Sequence, residues 1–410
     1  MWSNNKRKII LAGVVLAVVV AGLYTWQSGM AERIANARAA AACIQPSNEG
    51  DEEARVNCLI QVALDYMRKG DIPAAYRAFD YLYETYPFFG ASGCHVHAHK
   101  LGDTAYYGFF ITHGLSLQQM SFPQQTTSCG YGFFHGFLEH LIQDHPQSDY
   151  VMKTCEYLRE RLTGDMHDIA RICYHASGHG FIQAVADTLK KSEWGKVGEI
   201  VADPLRKCEA LPGRTEQEIE ECREGVFNVM SDWMIARNFG LSFDFKGPFK
   251  DCDTLPSRWH YACYYEFGQK LSSVIGDKVP VAAEYVTSIR EPDIRGMTFG
   301  VIVAGMMQRL APLDEYKTVF TDCAKVSDDA LFEVCIRSAT NGMMEHGSPD
   351  NEYEKILPMC ALPELAARGG TKKCYDTLAH RLSRFYPPQK KADVCGMFPS
   401  EYREACNKAP

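Results

Sequence analysis

From residue 43 to the C-terminus, apolar residues recur at helical spacing in short segments, the signature of amphipathic α-helices rather than strands. Tyr316-Lys317-Thr318-Val319-Phe320-Thr321-Asp322-Cys323 is one such segment. A turn-like or acidic stretch follows, and Cys335-Ile336-Arg337-Ser338-Ala339-Thr340-Asn341 opens the next helix. A matching pair without cysteines is predicted from Val281 to Ile289 and from Gly296 to Met307, with Arg290-Glu291-Pro292-Asp293 as the turn. The N-terminus breaks this pattern. Lys6, Arg7 and Lys8 precede an uncharged apolar run from Ile9 to Trp26, about the minimum that spans a bilayer. The positive charges predict a cytoplasmic N-terminus and an exported remainder. The run predicts an uncleaved transmembrane helix, with a cleaved signal peptide as the other reading, since Gly29-Met30-Ala31 matches a cleavage site poorly. Residues 27–42, rich in alanine, read as a stalk.

Sixteen cysteines punctuate the helices. In chain order they pair as Cys43 with Cys58, Cys155 with Cys173, Cys208 with Cys222, Cys252 with Cys263, Cys323 with Cys335, Cys360 with Cys374, and Cys395 with Cys406. Cys94 and Cys129 remain and most simply pair with each other. Connectivity is not fixed by spacing alone, but an even count in an exported chain reads as disulfides. The second cysteines recur at intervals of about 40 residues, with two helices per interval, which is the mark of an α-solenoid. The predicted fold is therefore all-α: a transmembrane helix over residues 9–26 after a cytoplasmic tail over 1–8, the stalk, then an α-solenoid of disulfide-stapled helical hairpins. The solenoid divides into 43–195, which holds the histidines, and 196–410.

Leu59, Ala63, Tyr66, Ala75, Phe79, Leu82 and Pro87, with Gly70-Asp71 at the turn, fall at the spacing of a tetratricopeptide repeat. The stapled hairpins also resemble Sel1-like repeats in architecture. The triplet of Cys94 to Gly102, Cys129 to Gly136 and Cys173 to Gly180 is similar to that of an uncharacterised family of exported bacterial Cys/His-rich proteins. These resemblances imply helical pairs and no particular activity.

Ordinary globular composition, with 46% hydrophobic and 23% charged residues, adds little. A net charge of -8 argues against a nucleic-acid partner, which needs a basic surface. The chain has no Cys-x-x-Cys, Cys-x-x-Cys-His, His-Glu-x-x-His, Gly-x-Ser-x-Gly or phosphate-loop pattern.

Ten of the thirteen histidines lie between His95 and His179. His95 and His99, and His175 and His179, sit one helical turn apart, as do His135 and Glu139, so each pair shares a face. Imidazoles so placed can chelate Zn, Cu, Ni or Fe, and His95, His99, His135, His175 and His179 with Glu139 are the candidate metal set. Asp103 would orient His99 from behind. A structural reading competes. Six residues beyond the second cysteine the units carry His135, His179, Asn228, Gln269, Asn341 and His380, all able to donate and accept. Such a row suits buried side chains bonding the backbone of the neighbouring unit. Ser177 reads as a packing residue, and Cys94 or Cys129 as a staple rather than a nucleophile.

The sequence thus predicts a membrane-anchored, extracytoplasmic helical-repeat scaffold for a protein or peptide partner, held at the inner membrane by its N-terminal helix. The alternative is a metal-dependent enzyme or metal-binding protein built on those histidines, with Glu139 as ligand or general base and a divalent transition metal (Zn, Cu or Fe) as cofactor.

Overall fold

A capped helix, a glycine turn and a second capped helix form the unit from which the chain is built. Helix α1 covers residues 30–43. α2 (Glu52–Arg68) starts where the Asp51 carboxylate accepts from the Ala54 amide, with Glu52 and Glu53 in its first turn and Arg68 in its last, charges that suit the helix dipole. The chain turns at Gly70, whose φ of 75° lies in the left-handed region, and Asp71 caps α3 (Ile72–Thr85) in the same way. Leu59, Ala63, Ala75, Phe79 and Leu82 are buried in this unit.

The computed structural model describes residues 30–44, 51–91, 93–123, 126, 128–161, 169–186, 188–212, 214–311, 313–346 and 351–409. They are helical, with no strand among them. Two compact units result, 1–137 and 138–410. The first holds α1 to α3, then α4 (Cys94–Ala105), a π-helical turn at Tyr106–Ile111, and the start of α5 (Ser128–Asp144). Its core is aromatic: Tyr106, Phe110, Phe122, Phe133 and Phe137 meet edge-on or stacked at centroid distances between 5.3 and 6.1 Å.

The second unit begins within α5 and continues as hairpins. These are α6 (Ser148–Arg161) with α7 (Ile169–Ala186) and α8 (Val197–Glu209) with α9 (Glu216–Ala236). The turn Lys250–Asp253 then precedes α10 (His260–Val274), followed by α11 (Val279–Val286) with α12 (Pro292–Leu310). Last come α13 (Lys317–Cys323) with α14 (Asp329–His346), α15 (Glu352–Cys360) with α16 (Gly370–Phe385), and α17 (Pro388–Met397) with α18 (Ser400–Lys408). The second helices form one row, α7, α9, α10, α12, α14, α16 and α18, each packed on the next. α11 and α12 are the cysteine-free pair. A capping box in which Thr215 and Glu218 bond reciprocally starts α9.

All eight disulfides join the cysteines as the chain-order pairing predicts, including Cys94 to Cys129, and no cysteine is free. Cross-links of this density belong to an oxidising compartment.

The membrane expectation is corrected. Among the described residues no helix is long and apolar enough to cross a bilayer: the longer helices are interrupted by charged residues, as α12 is by Asp293, Arg295 and Arg309 and α5 by Glu139 and Asp144. The apolar run at 9–26, on which the single-pass assignment rested, lies outside the described residues. The described chain is all-α with no transmembrane element, and single-pass membrane localisation is withdrawn.

Candidate metal centre

In the first unit, α4 and α5 lie backbone to backbone, because a methyl group on Gly132 or Gly136 would overlap the carbonyl oxygens of His95 and His99. This brings the His95 and His135 rings together at a centroid distance of 4.7 Å. His95 Nδ1 lies 3.0 Å from the Cys129 carbonyl oxygen. A carbonyl only accepts, so this nitrogen carries the proton. His95 Nε2 then accepts from His135 Nδ1 at 3.0 Å. Both His95 nitrogens are thereby engaged. His99 Nδ1 meets Asp103 at 3.2 Å, the orientation expected of that pair. His97 points into the core, stacked on Phe89 at 4.5 Å, and burial with Lys100 nearby lowers its pKa to about 4, so it stays neutral.

The second unit holds the other two candidate histidines. His179 Nδ1 is 2.9 Å from Glu139 Oε2, and Gln183 Nε2 donates to the other Glu139 oxygen at 3.2 Å. His179 and Glu139 are both buried. One turn away, His175 faces two glutamates absent from the sequence-derived set, Glu224 on α9 and Glu266 on α10. One ligand atom from each of the three residues lies within 4.8 Å of the other two.

The chain brings these three together by a packing rule. Gly178 on α7 and Gly225 on α9 face each other, and a methyl on either would overlap the backbone carbonyl of Cys222 or His175. The helices therefore approach more closely than side chains would permit, and the flanking His175 and Glu224 converge. Glu266 is 1% exposed and accepts from Asn228 Nδ2 at 2.6 Å. Burial, then the neighbouring Glu221, Glu266 and Glu220 carboxylates, push Glu224 up to about 9. Burial pushes Glu266 up to about 8 against the pull of Asn228 and Lys270. Arg171, the nearby cation on α7, is paired with Glu221. Without added positive charge, two carboxylates this close and this dry hold protons at neutral pH.

Such a set can take a divalent cation. At Zn–N and Zn–O bonds near 2.1 Å, tetrahedral ligand atoms lie about 3.4 Å apart, so side-chain rotations closing about 1.4 Å complete the triangle. Three ligands leave a coordination position open.

The polar row holds in part. His135 bonds His95, His179 bonds Glu139 and Asn228 bonds Glu266, but the partner is a side chain in each case and not backbone. His380, the last member, is exposed. Ser177 is fully buried, and its hydroxyl donates to the Cys173 carbonyl at 2.6 Å, a packing role that leaves no nucleophile. Glu224 and Glu266 escaped a search for histidines. For Glu224 a signal was present: two residues beyond the second cysteine the units carry Tyr131, His175, Glu224, Tyr265, Arg337 and Asp376, one turn before the polar row and on its face; Glu266, three beyond Cys263, falls outside it. Comparison with family models, with curated proteins and with solved structures finds no match.

Proposed function

We propose that the protein binds a divalent transition-metal ion in an oxidising compartment, using His175, Glu224 and Glu266. One observation carries this reading: a wholly buried glutamate, a second raised carboxyl and an imidazole converge within ligand distance. Two acids held close, one of them wholly buried, are costly to a fold, and a cation that exchanges for their protons removes the cost. One nitrogen and two carboxylate oxygens suit Zn, Fe, Mn or Co better than Cu(I), which favours sulfur. The reading as a scaffold for a protein or peptide rests on helical-repeat architecture alone, which does not specify function, and so gives way to the one with a defined site.

The test is metal content by mass spectrometry and calorimetric titration of untagged full-length protein with Zn2+, Mn2+, Fe2+ and Co2+. Binding of one of these ions at micromolar affinity, lost in His175→Ala and in Glu266→Gln but kept in the exposed-site control His380→Ala, is the expected result. Affinity unchanged by both ligand substitutions, or no binding of any of the four ions, overturns the proposal.

A further inference from the structure

A groove of about 750 Å³ runs along α12 in the second unit, bounded by Tyr265 on α10 and by α14, a volume typical of small-molecule sites. Its floor is α12 itself, which carries Gly296, Gly300 and Ala304 one turn apart and so presents little side chain there, although Gly300 also lets α14 approach, since its Cβ would come within 3.0 Å of Ser338 Oγ. Helix packing does not demand this at Gly296. A methyl at that position would meet only Val334, at 3.8 Å, ordinary contact. Gly268 and Gly342 differ, since their Cβ atoms would come within 2.9 and 2.5 Å of Val301 and Met307. Glycine inside a helix destabilises it relative to alanine. At Gly296 that cost leaves an open groove and no closer helix contact.

Most arginines of the unit are neutralised by a neighbouring acid. Arg159, Arg171, Arg214, Arg223, Arg309 and Arg381 each meet a carboxylate. Arg295, on α12, and Arg337, on α14, make no ion pair among the described residues. The Arg295 Nε donates to the Ile289 carbonyl at 2.9 Å, which fixes its guanidinium at the groove. Of the acids there, Asp293 is exposed in the first turn of α12, Asp328 caps the amide of Leu331 and Glu345 is paired with Arg381. The Asn341 side-chain oxygen is buried in the same groove without a hydrogen-bond partner. Met297, Val301 and Val334 supply apolar walls.

We propose that this groove binds a small amphipathic carboxylate, its anion between Arg295 and Arg337 and its apolar body over Gly296 and Gly300. Two arginines with delocalised, weakly hydrated charge suit a carboxylate. An extended peptide fits less well. Its backbone offers a donor and an acceptor at every residue, and Tyr265, Ser338 and Asn341 are the few uncharged polar side chains lining the groove.

The test is calorimetric titration of full-length protein, in EDTA so that metal plays no part, with decanoate, 4-phenylbutyrate and N-acetylphenylalanine, and with decyltrimethylammonium as the charge-reversed control. At least one carboxylate should bind at one per chain, and the ammonium compound should not bind. Arg295→Gln and Arg337→Gln should each weaken that carboxylate about tenfold. Gly296→Phe should abolish binding while keeping the wild-type helical signal. If that variant fails to fold, Arg337→Gln, at an exposed side chain, decides the matter. Binding unchanged by Arg337→Gln, equal binding of decanoate and decyltrimethylammonium, or failure of all three carboxylates overturns the proposal.

Discussion

Replacing Glu266 with Gln should stabilise the metal-free protein while abolishing metal binding, and the stabilisation should grow with pH. Glu266 is 1% exposed and its pKa is raised from the ordinary 4.5 to about 8, chiefly by burial. At pH 7 the folded chain therefore holds a proton on Glu266 that the unfolded chain has released. The folded state binds more protons, so this group's contribution is intact below about pH 4.5 and is lost as pH rises through about 8. Between 4.5 and 7 the loss accumulates over about 2.5 pH units at 1.36 kcal/mol each, or about 3 kcal/mol. Glutamine reproduces the protonated carboxyl in shape and keeps an oxygen to accept from Asn228 Nδ2, which now donates at 2.6 Å, but it has no proton to lose. Urea denaturation in EDTA, followed by circular dichroism at pH 4.5, 6, 7 and 8, measures the difference. Glu266→Gln should match wild type at pH 4.5 and exceed it by about 3 kcal/mol at pH 7. Parallel curves across the whole range would mean that Lys270, which pulls this pKa down, holds the carboxylate ionised, and the account of a buried protonated acid would be wrong.

Metal binding at pH 7 should release about two protons, because Glu224 and Glu266 sit at about 9 and about 8 before loading; calorimetry in buffers of different ionisation enthalpy counts them, and affinity should rise from pH 6 to pH 9. Gly225→Ala should force α7 and α9 apart, since its Cβ would overlap the His175 carbonyl, lowering the melting temperature and weakening metal binding together. Gly296→Ala, where only Val334 is near at 3.8 Å, should raise stability by roughly 0.5–1 kcal/mol in thermal melts. Replacing Cys208 and Cys222 together with alanine opens a staple with a sequence separation of 14 and should cost about 3 kcal/mol on the chain-entropy account.

The helical hairpins were legible because helix formation and cysteine pairing are local. Tyr316 to Cys323 reads as an amphipathic segment, and its structure, α13, ends at Cys323 as the pattern implies. The pairs Cys43–Cys58 and Cys208–Cys222 close short loops across one turn. The site was half legible. His175 stood out by residue type, but its partners come from α9 and α10, and no local pattern states which glutamates a neighbouring helix will bury. Glu224 has Glu220 and Glu221 beside it, so nothing in the residue string separates it from a solvated acidic face. What separates it is the close approach of α7 to α9, fixed by Gly178 and Gly225. The polar row misled in its partner: a backbone acceptor was the economical guess, while in the second unit the row meets Glu139 and Glu266.

The cysteines and the proposed ligands are parts of one arrangement. His175 lies two residues beyond Cys173, Glu224 two beyond Cys222 and Glu266 three beyond Cys263. Each ligand therefore sits within a helical turn of a disulfide that ties its helix to the preceding one. Two acids that keep protons in the folded chain which the unfolded chain would release destabilise it at neutral pH, and loosening of α7, α9 or α10 would relieve that cost. The disulfides join α7 to α6, α9 to α8 and α10 to the 250–253 segment, so each fixes its ligand-bearing helix within its own hairpin close to the ligand, a contribution to the preorganisation a metal site needs. The cysteines nearest the site thus do more than close turns, while the histidines of the first unit have partners of their own. Reduction under native conditions should accordingly abolish metal binding before helical content falls, as circular dichroism and calorimetry on the same sample would show. If helix and metal were lost together, the staples would be holding the whole fold and not the site.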